Sequence, residues 1–164
     1  MRPLHHREPG VAGAVLDSPE VSCELICDGV HVDAVALRLA FRAKGVSGVR
    51  LVTDAMAAAG MPDGDYRLGS IRVVVARGRA TVADSDSIAG STLTMDVAVQ
   101  NAVRFLGVSV ADAVVMASTN PARLLGLGDR KGAIAAGMDA DLVVLDEGLR
   151  VGRTMIGGEW VFQA

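Results

Sequence analysis

Five aromatic residues in 164 leave few stacking platforms for bases, and sixteen basic against nineteen acidic residues, a net charge of -3, give no surplus of cations for a phosphate backbone. Both shortages argue against nucleic acid as a partner. No unbroken apolar run approaches the ~20 residues that span a bilayer, and the opening MRPLHHREPG lacks the apolar stretch of a signal peptide. The expected location is the cytoplasm, with no membrane contact. Cysteine is scarce as well. Cys23 and Cys27 lie four apart in a run read as a strand, so they project from one face. Without metal-type partners nearby they read as reduced core thiols.

Apolar residues, by contrast, make up 51% of the chain, enough for one sizeable core and a small second module. The first ten residues have loop chemistry with nothing ahead of them, which points to a chain cut from something longer, Met1 being an internal residue. Next comes VSCELICDGVHV, a β-prone run closed by Asp28-Gly29. A helical segment from Asp33 to Lys44 follows, with Arg42 and Lys44 in its last turn and Gly45 as its stop. GVRLVTDA is a second apolar strand. Strand, helix and strand predict a parallel βαβ unit buried on both faces. From Tyr66 to Asp84 the pattern turns to antiparallel strands with a turn at Arg77-Gly78. Helices resume with a face formed by Met95, Val99, Val103 and Leu106, and Asp96 favours the N-terminal end of that helix. A capping box at Ser109 and Asp112 starts a helix over 110–117, and Asn120-Pro121 starts another that stops at Gly126. The tail reads as three strands divided by Glu147-Gly148 and Gly157-Gly158. Hairpin material at 66–84 and again at the C-terminus predicts one β module assembled from both, with Val73 or Val75 against the Leu142 to Leu145 strand.

Catalytic groups in parallel α/β folds gather at the C-terminal ends of strands, where loops converge on a ligand while the strands stay rigid. Asp54 and His31 both fall at such positions, which predicts one shared cleft, although aspartate is also an ordinary turn residue. His5 and His6 are adjacent in a loop and point apart, so they make a poor ligand pair. Arg7 beside them offers a guanidinium fork for a phosphate or carboxylate. SIAGSTLT, at 87–94, is a small-residue loop entering a helix; it could present backbone N–H groups to a ligand or only cap the helix.

The segments REPG, DGVHVD, LVTDAMAAAG, IAGSTLTM, ASTNPARLLGL, KGAIAAGMDADLVVLD and GGEWV, in that order, resemble the C-terminal part of the N-acetylglucosamine-6-phosphate deacetylase family, within the amidohydrolase superfamily. The resemblance covers essentially this whole chain and less than half of the family's. It implies an α/β fold: the C-terminal part of a TIM-like (β/α)8 barrel plus part of a small β-sandwich domain. Residues 1–64 would be the last barrel strands, 65–86 a hairpin segment joining the β module, 87–128 barrel-packing helices, and 129–164 the C-terminal sandwich strands. The implied reaction converts N-acetylglucosamine 6-phosphate to glucosamine 6-phosphate and acetate. Asp54 resembles the family's general base and acid, His31 a substrate-binding histidine, Arg7 the partner of the sugar phosphate across a homodimer interface, and Ile88, Ala89 and Gly90 the loop that holds the substrate. The family's divalent metal (zinc, iron, manganese or similar) is held by a glutamate and two histidines on earlier strands that this chain does not contain. The chain alone is therefore expected to be inactive and to bind no metal, with Asp54 as a ligand only in a two-metal parent. Two other readings stay open: another metal-dependent amidohydrolase of the dihydroorotase kind, and a truncated, non-catalytic association module.

Overall fold

The computed structural model describes residue 2 and residues 4–164; Met1, and the expectation attached to it, lies outside the described residues. The described residues before Gly10 are loop, as expected, and a helix the sequence reading did not anticipate follows them: α1 (Gly10–Asp17). Pro9 precedes it with φ -65°, an angle its ring imposes and a first helical turn requires, and its carbonyl accepts the Gly13 N–H at 3.1 Å.

The βαβ unit forms as expected. β1 (Cys23–Ile26) and β2 (Val49–Val52) are parallel neighbours, in register from Cys23 opposite Val49 to Ile26 opposite Val52, and α2 (Ala34–Lys44) connects them. Asp33 caps α2 by accepting the Val35 N–H at 2.7 Å, and Gly45, at φ 63°, ends it. Burial on both faces is not what this pair shows. Leu25, Cys27, Val49 and Leu51 lie in a core with Leu37, Val99, Ala102, Ala113 and Met116, and Cys23 packs against it. The opposite face carries Glu24, Ile26, Arg50 and Val52, none of them buried. Glu24 and Arg50 sit directly across from each other, and a face carrying two charged side chains is not one that apolar cover stabilises.

β3 (Gly64–Leu68), β4 (Ile71–Ala76) and β5 (Arg79–Val82) form an antiparallel sheet. Arg77 and Gly78 make its second turn, both at positive φ (53° and 71°), the hand that suits a two-residue hairpin. The Asp63 carboxylate accepts both of their N–H groups. A second antiparallel sheet follows at the C-terminus: β6 (Leu142–Leu145), β7 (Val151–Ile156) and β8 (Glu159–Gln163), with Gly157 and Gly158 at the last hairpin, as expected. The predicted pairing of the two segments is not formed; each is a separate three-stranded sheet. Val73, Val75 and Ala80 instead bury their side chains against Met56, Ala58 and Ala89, and the β5 edge is taken by Val82 N–H to Ser87 O and Ala89 N–H to Ala80 O. The apolar face of β4 is covered from within its own neighbourhood.

In α3 (Met95–Leu106) the buried stripe is Ala98, Val99 and Ala102, while Met95 is exposed. Val103 and Leu106 pack against the same core as Val99, so the expected face holds except at Met95, and the small Ala98 and Ala102 share the contact beside it. The two helices expected after Ser109 are one continuous helical run: α4 (Val110–Val114), a π-helical turn over Val115–Thr119, and α5 (Asn120–Leu124). Pro121 has no N–H to donate to the preceding turn. The wider turn, in which the Asn120 N–H reaches Val115 O, takes up that deficit without a break. Ser109 caps the run as expected, accepting the Asp112 N–H at 3.0 Å and donating its hydroxyl to Asp112 Oδ2 at 2.7 Å.

Candidate active site

His31 and Asp54 both lie past the C-terminal ends of the paired strands, five residues after β1 and two after β2. Each is held by a different device. On the β1 side, the Cys27 carbonyl accepts Asn101 Nδ2 of α3 at 2.8 Å. Burial, with the Asp28 charge adding to it, pushes the Cys27 thiol up to about 11, so it stays protonated and inert at neutral pH. Gly29 turns the chain at φ 73°, and a Cβ there would come within 3.3 Å of the Phe105 ring. Asp28 then organises the rest: its Oδ1 accepts the N–H of Val30 at 2.8 Å and of His31 at 2.9 Å, and its Oδ2 lies 2.7 Å from His31 Nδ1. The two side chains are only 12% and 16% exposed, for Asp28 and His31 respectively. Sequence reasoning took Asp28 for a turn former and missed this second job. The signal was the Asp-x-x-His spacing in DGVH.

On the β2 side, Asp54 has φ 49°, a left-handed conformation that costs a non-glycine residue about 1 kcal/mol or more. The neighbouring loop holds it there. The Ser91 N–H donates to Asp54 O at 2.8 Å, the Met56 N–H donates to Ser91 O at 2.9 Å, and the buried Ser91 hydroxyl donates to Thr53 O. Gly90, at φ 70°, passes so close that a Cβ would stand 3.1 Å from Asp54 O. Gly90 is thus laid directly against Asp54, whose side chain remains exposed, while Ile88 bridges to Thr81 and Ala89 donates to Ala80 O along β5.

A cleft of about 400 Å³ opens at Asp54, lined also by Thr53, Glu24, Arg50, Met95 and Leu124. His31 is not among its lining residues, so the two candidates share an end of the sheet and not this cleft. Arg7 stays apart from both. It is exposed, with its guanidinium 2.8 Å from His6 Nε2, and the His5 and His6 rings stand 4.4 Å apart. As for a metal, among the described residues no three His, Cys, Asp or Glu side chains cluster closely enough to hold one. A carboxylate alone is not a fit for a catalytic site that needs three protein ligands.

A carboxylate at a strand end, pinned against a glycine of the neighbouring loop, stands where parallel α/β folds carry their functional groups. Residues 2–161 match the amidohydrolase family model, and the chain belongs to that family. Within it, the chain is 44% identical over 158 residues to the N-acetylglucosamine-6-phosphate deacetylase of Lysinibacillus sphaericus, covering 96% of this chain and 40% of that one. It is 45% identical over 159 residues to a putative N-acetylgalactosamine-6-phosphate deacetylase of Escherichia coli K12, covering 97% of this chain and 94% of that one. Among solved structures, a variant N-acetyl-D-glucosamine-6-phosphate deacetylase of Mycobacterium smegmatis in complex with N-acetyl-D-glucosamine-6-phosphate superposes with a TM-score of 0.93 at 46% identity, covering 98% of this chain and 43% of that one. The chain spans about two-fifths of the length of most curated relatives it matches.

Proposed function

We propose that this chain is the C-terminal part of an amino-sugar-phosphate deacetylase that hydrolyses N-acetylglucosamine 6-phosphate to glucosamine 6-phosphate and acetate. The likeness to a substrate-bound deacetylase over nearly the whole chain carries the reading. In it, β1 and β2 are the last strands of a barrel, and the antiparallel sheets belong to a small β-sandwich. Asp54 is the general base and acid: its carboxylate takes a proton from the water that attacks the acetamide carbonyl, and returns it to the nitrogen as the C–N bond breaks. Ile88, Ala89 and Gly90 hold the sugar beside it. His31 binds the substrate from the neighbouring strand end, and Arg7 pairs with the 6-phosphate across a homodimer interface. The divalent metal that this reading brings would have to be held by residues other than those described, and no step is assigned to it.

A specific observation keeps a second substrate in play. Identity to the galactosamine relative is as high as to the glucosamine ones, and the two sugars differ only in the configuration of one hydroxyl. Acetate release would be measured on both 6-phosphates and on unphosphorylated N-acetylglucosamine, with a chain of the relatives' full length carrying this sequence as its C-terminal part. Preference for the glucosamine epimer with phosphate dependence is expected. Turnover of dihydroorotate and of neither acetamido sugar would overturn the assignment.

A further inference from the structure

Asp28 meets the His31 ring at Nδ1, which leaves Nε2 as the ring nitrogen free for another partner. We infer that Asp28 is a positioning residue that locks the neutral His31 ring in its Nδ1–H tautomer, leaving Nε2 as a bare acceptor for a hydroxyl of the bound sugar. The tautomer follows from the pair itself; that Nε2 meets a ligand, and that the ligand is a sugar, rests on the deacetylase reading.

The inference follows from donors and acceptors. An ionised carboxylate only accepts hydrogen bonds. Asp28 Oδ1 is already engaged by two backbone N–H groups, and Oδ2 stands 2.7 Å from His31 Nδ1, so the proton between them belongs to Nδ1. A neutral imidazole has one N–H, and Nε2 must then carry the lone pair. Neither partner can swing away. Asp28 is fixed by the turn it caps, the turn by Asn101 on the Cys27 carbonyl and by Phe105 against Gly29, and both side chains are largely shielded from water. A carboxylate that served only as a turn former would need Oδ1 alone. The second oxygen, aimed at the ring, is what separates positioning from turn capping. A ring presenting a lone pair accepts from an O–H, whereas the opposite tautomer would donate to a carbonyl, so Asp28 sets the kind of substrate group that His31 recognises.

The test is to read the tautomer directly, by two-dimensional nitrogen–proton NMR on the 15N-histidine-labelled chain at the alkaline end of a pH series, where the ring is neutral. Nε2 is expected in the range of an unprotonated ring nitrogen and Nδ1 in that of a protonated one. Asp28→Asn is the informative variant: its carbonyl can still accept the Val30 and His31 N–H groups, but its amide then points N–H donors at Nδ1 and should invert the tautomer. In the full-length enzyme the same variant should raise KM more than tenfold with a smaller change in kcat, since a binding contact is lost. A wild-type ring protonated at Nε2 overturns the proposal without any variant, as does an unchanged tautomer in a folded Asp28→Asn protein. Correct tautomers with no turnover of either sugar phosphate would sink the deacetylase reading and leave the positioning role standing.

Discussion

The parallel pair near the N-terminus and the antiparallel sheet at the C-terminus are stabilised in different ways. Behind β1 and β2 sits a core of nine buried residues, and the strand ends are pinned by side chains from the helices and loops: Asn101 on Cys27 O, Asn120 Nδ2 on both Val46 O and Val49 O, and Ser91 on Thr53 O. The C-terminal sheet buries no side chain fully. Trp160, Val161 and Phe162 are 50%, 57% and 49% exposed, and since successive strand residues face opposite sides, both faces of β8 are open. Its cohesion comes from ladder hydrogen bonds, from Arg153 over the Trp160 ring at 5.7 Å, and from surface ion pairs. Rigidity is concentrated where the proposed chemistry sits.

The sharpest way to break this contrast is at Asp54. Asp54→Asn in the full-length enzyme is expected to lower kcat by at least about 100-fold, the size of a general acid–base contribution, with substrate affinity retained, because the amide keeps the shape but cannot accept the proton. Activity near the wild-type level would remove Asp54 from the chemistry. Arg7 lies on the exposed side of the comparison, and Arg7→Ala should raise KM for the phosphorylated sugar with kcat little changed. Steady-state kinetics with and without the 6-phosphate would show it.

Stability should divide along the same line. Leu51→Ala removes a fully buried side chain from the first core and should cost about 2–5 kcal/mol, whereas Val161→Ala on the open sheet should fall within about 0.5 kcal/mol. Equal losses in chemical denaturation would show that the C-terminal sheet is more tightly packed than its exposure implies. Between these extremes stands Asn120→Ala, which leaves two backbone carbonyls without their donor and should cost about 1–3 kcal/mol.

Local patterns made much of this legible in the sequence. The βαβ unit was readable because Asp33 and Gly45 punctuate its helix, and both hairpins because Arg77-Gly78 and Gly157-Gly158 fit turns of positive φ. Quantities that depend on distant neighbours were not. The course through Pro121 is set by a π-helical turn, and the cover over β4 by Met56, Ala58 and Ala89, which no periodicity links to it. At the site, Asp54 and the 88–90 loop were each visible as residue types at loop positions. Their juxtaposition depends on a single parallel bridge between Ala55 and Ser91, 36 residues apart in the chain. Asp28 was hidden because Asp-Gly already has a sufficient explanation as a turn.

The smallest expected effect concerns the charges that tie the C-terminal sheet to the loop before it. Lys131 donates to Asp141 and lies 3.0 Å from Asp139, while the Gly157 N–H of the last hairpin donates to Asp141 Oδ1 at 2.8 Å. The Lys131 hydrogen bond first, and the Gly157 N–H after it, hold the Asp141 carboxyl below the ordinary aspartate value of about 3.9. A carboxylate whose folded value is depressed contributes stability above its unfolded value and loses it as pH falls through the folded one. The effect is therefore absent at neutral pH as a slope and appears only below about pH 4. Because these groups are at the surface, salt should weaken it. Following the Asp141 carboxyl carbon by NMR through an acid titration should show a midpoint below that of the same carboxyl in the urea-unfolded chain, and Lys131→Met should move it back toward the ordinary value. A midpoint already ordinary in the unaltered chain would mean that the Lys131 contact does not persist in solution, and the last hairpin would then rest on its ladder alone.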